Sequence, residues 1–187
     1  MGESQMNYEQ WPEKFSHEDY KNARKTIIEE YQDVKGLVSI YETGTVADPG
    51  ISDLDIKFVY TPDGPVESAN QASTSNIVNK LVGRGNIISI PTNFFKKINC
   101  YNPTIEPVRL YGEELSFDQL PESEHRFRAA ASIGNHLPER LYRTIKLQKR
   151  DTIPVMRALQ VLKSIGYSTE ILCGLHDDFD DNGYFDS

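Results

Sequence analysis

Cysteine is scarce: Cys100 and Cys173 are the only two, and neither belongs to a CxxC pair or a Cys/His group. That excludes a disulfide framework and a cysteine-based structural zinc site. His17, His125, His136 and His176 are scattered and share no metal-ligand spacing, so a histidine-based nuclease finds no support. Long apolar runs are missing as well. None approaches the length needed to span a bilayer, and Met1-Gly2-Glu3-Ser4-Gln5 has neither the basic nor the apolar region of a secretory signal. A soluble, cytoplasmic protein with reduced thiols and no membrane partner is expected. Positive charge is also in deficit. With 20 Lys and Arg against 28 Asp and Glu, the formal net charge is −8. This argues against broad nucleic-acid binding, because neutralisation of phosphates by Lys and Arg supplies that affinity. The chain shows no internal repeat.

What is present suits a folded chain. Its 187 residues are 38% hydrophobic and 10% aromatic, enough for one domain with a real core and a small appendage. Residues 1–15 are polar and without a sustained period, so they are expected to be an arm. Ser16 then stands ahead of the acids Glu18 and Asp19, with Tyr20, Ala23, Ile27 and Tyr31 following at helical spacing, and Gly36 comes after. That predicts an N-capped amphipathic helix. Leu37–Tyr41 and Leu54–Tyr60 read as strands joined through a loop, and Thr61-Pro62-Asp63-Gly64-Pro65 as a turn. Ile77, Val78, Leu81 and Val82 predict a helix closed by Gly83 and Gly85. Asn86–Ile90 and Pro107–Tyr111 predict two more strands, separated by the polar and aromatic segment 92–104. Alternation of helix and strand points to an α/β domain over 16–121.

From Glu122 the pattern turns helical, with Leu137, Leu141 and Ile145, and then Val155, Leu159, Leu162 and Ile165, on either side of a break at Thr152-Ile153-Pro154. A helical segment over 122–175 and an acidic tail over 176–187 are expected. The run Asp177-Asp178-Phe179-Asp180-Asp181 lacks the ligand spacing and closing Glu of a calcium loop.

The chemistry concentrates around Ser52-Asp53-Leu54-Asp55. In an extended segment Asp53 and Asp55 project to one side while Leu54, Ile56 and Phe58 project to the other. Two adjacent carboxylates repel each other unless a cation lies between them. Mg²⁺ favours such oxygen ligands, with substrate phosphates completing its shell. Upstream, Gly44-Thr45 offers a bend where backbone amides can approach a phosphate and a hydroxyl can donate to it. An Asp-x-Asp alone is more often two solvated charges. Lys57 falls on the same side by periodicity and would neutralise the pair.

Together, Ile40-Tyr41-Glu42-Thr43-Gly44-Thr45 followed by Ser52-Asp53-Leu54-Asp55-Ile56 resembles the DNA polymerase β-like nucleotidyltransferase superfamily. The likeness covers roughly residues 16–115, including the helix before the first strand and Leu110-Tyr111-Gly112-Glu113. It implies an α+β domain whose mixed sheet is flanked by helices, with a helical C-terminal segment. It also implies transfer of a nucleoside monophosphate from an NTP such as ATP to an acceptor, with Mg²⁺ or Mn²⁺ as the metal. Asp53 and Asp55 would match the metal-binding pair, Gly44 and Thr45 the phosphate-holding turn, and Ser52 an often polar position. Arg140 and Arg143, from a locally basic stretch, would contact phosphates or an acidic acceptor, although a solvated helix face explains most of that stretch.

Three departures from the pattern stand out. Thr45 replaces the usual serine, and the spacer Val46–Ser52 is short, leaving little room for the helix that normally follows the turn. The strand Asn86–Ile90 lacks an acid where the superfamily commonly has a third carboxylate, and Glu106 is the nearest substitute. The alternative reading is therefore a catalytically degenerate module that keeps the sheet and a nucleotide-binding, regulatory or interaction role. An α/β interaction domain with a coincidental Asp-x-Asp is the third.

Overall fold

A computed structural model describes residues 7–64, 73–82, 87–148 and 152–181, with side chains 148, 174 and 176–181 left aside. The chain divides into two compact units, Glu13–Leu120 and Met1–Pro12 with Pro121–Ser187. The N-terminal residues up to Pro12 group with the helical part.

The first unit begins with helix α1, His17–Tyr31, started by a capping box. Asp19 N donates to Ser16 Oγ at 3.3 Å and Ser16 N donates to Asp19 Oδ2 at 2.7 Å, satisfying amides that a helix start leaves open. The hydrogen bonds from Ser16, backbone first, hold the Asp19 carboxyl below its ordinary range. Tyr20, Ala23, Ile27 and Tyr31 are all buried, as their spacing predicts.

Strands β2 (Leu37–Thr43), β3 (Ile56–Tyr60), β4 (Ile87–Pro91) and β5 (Pro107–Gly112) form one sheet in the order β4-β3-β2-β5. β2 runs antiparallel to both β3 and β5, while β3 and β4 are parallel and are linked through helix α2, Asn76–Val82. This is the expected α+β arrangement of a mixed sheet with helices. β3 starts two residues later than its apolar pattern suggests, and β2 continues two residues further, to Thr43.

Both sheet faces carry a core. Ile40, Leu54, Ile56, Phe58 and Tyr60 pack with α1 and with Val78, Leu81 and Val82 of α2 on one face. On the other, Tyr41 and Val59 pack with Phe95, Ile98 and Leu115. Phe95 and Ile98 come from single-turn helices α3 (Thr92–Phe95) and α4 (Ile98–Tyr101), elements that the polar and aromatic segment did not announce. Tyr41, Phe95 and Phe117 stack mutually, with ring centroids 4.9–5.8 Å apart. Gly83, Gly85 and Asn86 lie outside the described residues.

The second unit pairs helices α5 (Glu122–Gln148) and α6 (Val155–Asp181) with a two-stranded parallel sheet of β1 (Asn7–Glu9) and β6 (Thr152–Pro154). Two expectations change here. The polar arm supplies a strand, because its backbone finds partners in Thr152–Pro154, the segment that breaks the helical pattern. The acidic run Asp177–Asp181 is the last part of α6 and not a separate tail, while residues 182–187 lie outside the described ones.

Candidate functional site

The loop from Gly44 to Asp55 joins β2 to β3, and three anchors hold it. Thr43 N donates to Asp55 O at 2.8 Å, extending the hairpin pairing beyond the strand. Leu54 N donates to Leu81 O at 2.9 Å, tying the residue between the two aspartates to α2, and its side chain is fully buried. Tyr20 of α1 reaches into the loop from below. Its hydroxyl donates to Ser52 O at 2.5 Å and accepts from Gly50 N at 3.0 Å. Burial pushes the Tyr20 phenol above its ordinary value; the Gly50 amide opposes that shift and the charge of Asp53 adds to it. No helix follows Gly44. Instead Asp48 O accepts from Ile51 N at 3.0 Å and Ser52 N at 2.8 Å, closing a tight turn consistent with the short spacer.

These anchors set the aspartates. Asp53 is exposed, Leu54 buried, Asp55 half-buried and Ile56 buried, the alternation expected of an extended segment that turns its apolar residues to the α1 and α2 core. Gly44 has φ +106°, a conformation that favours glycine. A Cβ on it would lie 3.6 Å from Asp55 Oδ2. The glycine bend and the carboxylate therefore adjoin, with Thr45 exposed at the bend. Ser52 is buried, and its hydroxyl accepts from Asp48 N at 3.1 Å, which gives it a part in shaping the turn.

Lys57 follows on the same side of β3. It pairs in register with Tyr41 and with Ile88, and is only 8% exposed. Burial pulls its ammonium below the ordinary lysine range, while Asp55 and then Asp53 pull it back up. Its grouping with the aspartates follows the strand period; its depth does not, because burial of β3 on both faces depends on α3, α4 and the segment after β5.

Behind the bend, Glu42 is buried and held by Arg24 of α1 in a bidentate pair, Nε to Oε2 at 2.6 Å and Nη2 to Oε1 at 2.8 Å. Hydrogen bonding to Glu42 raises the Arg24 guanidinium above its ordinary value. This pair fixes β2 two residues before Gly44, and neither partner carries a local signal that could have revealed it.

The remaining predicted residues lie on other elements. Glu106 is exposed, one residue ahead of β5, whose first residue Pro107 pairs with Thr43. Its backbone is at the Gly44 end of the sheet, yet among the described residues no three His, Cys, Asp or Glu side chains converge as a metal-binding group. The partners of Thr43 and Tyr41 on β5 are Pro107 and Arg109. Arg140 and Arg143 lie on α5, in the helical unit. There Arg140 Nη2 meets His136 Nε2 at 2.8 Å, and Arg143 pairs with Glu139, both along their own helix.

Asp53 and Asp55 are carboxylates of like charge that could serve a divalent cation, and Asp55 lies beside a backbone bend that a phosphate could approach. Comparison with protein-family models, curated proteins and solved structures finds no match for this chain. Among the described residues no helix is long and apolar enough to cross a membrane.

Proposed function

We propose that the chain is a cytoplasmic Mg²⁺-dependent nucleotidyltransferase, moving a nucleoside monophosphate from an NTP such as ATP to an acceptor hydroxyl. The observation that carries this reading is the approach of the Asp55 carboxylate to the positive-φ Gly44, with the exposed Asp53 two residues before it in the same loop. Asp53 and Asp55 would hold Mg²⁺ or Mn²⁺. Such an ion would supply positive charge to offset what develops on the phosphates during transfer. The chain's own residues orient the reactants. Gly44 and Thr45 present amides and a hydroxyl to phosphates, Tyr20 and the Asp48–Ser52 turn hold Asp53 in place, and Ile88, exposed beside Lys57, offers an apolar surface. The net charge of −8 favours a small-molecule or protein acceptor over bulk nucleic acid. An RNA end is the remaining acceptor class.

A second reading, a nucleotide-binding module without transfer, draws on Pro107 and Arg109 as the β2 partners and on the lack of a third converging carboxylate among the described residues. Incubation with Mg²⁺ and NTP labelled at the α-phosphate separates the two. Label appearing on an added acceptor with release of pyrophosphate, abolished in Asp53→Asn, supports the transferase. Nucleotide binding without label transfer to any acceptor supports the module.

A further inference from the structure

Among the described residues Lys57 is the one buried lysine, and its charge lies in the field of the candidate site. Ile56 and Phe58, on either side of it in sequence, are fully buried against α1 and α2, so strand alternation sends Lys57 to the face of Asp53 and Asp55. Along that face Val59 leads into the aromatic cluster of Tyr41 and Phe95, and Asp55 leads to solvent. The carboxylates that act on its ammonium are Asp55 and Asp53. Burial at 8% exposure penalises that charge, and the pair of aspartates offsets part of the penalty.

A simple charge count follows. Two carboxylates and one ammonium leave a single negative charge, which one divalent ion converts to a single positive one. Three carboxylates with two divalent ions arrive at that same net charge. A second divalent ion beside Lys57 would instead raise the site to three positive charges, with strong mutual repulsion. We propose that the Lys57 ammonium is a built-in cation of the Asp53–Asp55 site, standing in for a second divalent ion, so that the site accepts one divalent cation. This rests on the metal-site reading above and specifies its stoichiometry and affinity.

The test measures Mn²⁺ binding to the full chain without nucleotide, from the electron paramagnetic resonance signal of free Mn²⁺. The Asp53→Asn, Asp55→Asn double variant supplies the baseline, and circular dichroism melts check folding of every variant. The wild type is expected to bind one Mn²⁺ above baseline. Lys57→Gln and Lys57→Met, which differ in packing but both remove the charge, are expected to bind it about tenfold more tightly or better. Lys57→Arg, which keeps the charge, is expected to stay within about threefold of wild type. A purely structural lysine would not produce this order. Two Mn²⁺ on the wild type, or unchanged or weaker affinity in the neutral variants, overturns the role of Lys57 and leaves the metal site standing. No binding above baseline in any chain overturns the metal reading and this inference with it.

Discussion

Phe58, in the sheet, has no exposed surface, whereas Phe127, on α5, keeps 73% of its surface exposed. The contrast extends to their units. In Glu13–Leu120 the apolar positions of α1, β2 and β3 are consumed by two cores. In the helical unit Ala129, Ile133 and Val161 are buried, but Leu141, Tyr142, Ile145, Leu162 and Tyr167 remain exposed. A helical hydrophobic period predicts a helix in both units, but burial follows only where a second element supplies the opposing surface.

The largest effect should separate the two regions. Phe58→Ala is expected to lose about 3–5 kcal/mol of unfolding free energy through a cavity packed by Tyr31, whose ring centroid lies 4.6 Å away. The same change at Phe127 should stay within about 0.5 kcal/mol. Urea denaturation of the two variants measures both, and similar losses would break the contrast.

Glycines sharpen it next. Gly50 has φ +88°, and a Cβ there would lie 2.5 Å from Glu13 O. Gly50→Ala should therefore destabilise by about 2–3 kcal/mol and displace the turn that precedes Asp53. At Gly134 and Gly166, in α5 and α6, a Cβ meets nothing within 4 Å. There Gly→Ala should stabilise by about 0.5–1 kcal/mol through helix propensity. Thermal melts of the three variants should show opposite signs.

A smaller loss is expected from Glu42→Gln, about 1–2 kcal/mol, because Arg24 is left without its bidentate acceptor but keeps 28% of its side-chain surface in contact with solvent. A double-mutant cycle with Arg24→Gln measures the coupling, and additive losses would remove the pair from the account.

Much of the sheet unit was legible because its signals are local. Ser16 ahead of Glu18 and Asp19 marks a helix start, Tyr20, Ala23, Ile27 and Tyr31 make a buried stripe, and alternation through Asp53, Leu54, Asp55 and Ile56 matches their alternating burial. The pairing of β1 with β6 was not legible, since three-residue strands far apart in the chain carry no period. The anchors of the site escaped for the same reason. Tyr20 reads as one more core aromatic until its hydroxyl meets Gly50 and Ser52, and Glu42 reads as a strand-end charge until Arg24 meets it. Glu106 was proposed from its place before a strand and stands exposed ahead of β5, while Arg140 and Arg143 came from a basic stretch whose contacts along α5 no local pattern announced.

The approach of Asp55 to Gly44, with Asp53 in the same loop, matters functionally only if the loop binds nucleotide through a metal, which calorimetric titration of ATP in the presence and absence of Mg²⁺ measures directly. The account predicts saturable ATP binding that requires Mg²⁺ and is lost in the correctly folded Asp53→Asn, Asp55→Asn variant. Binding of equal strength without Mg²⁺, or retained by that variant, would contradict it.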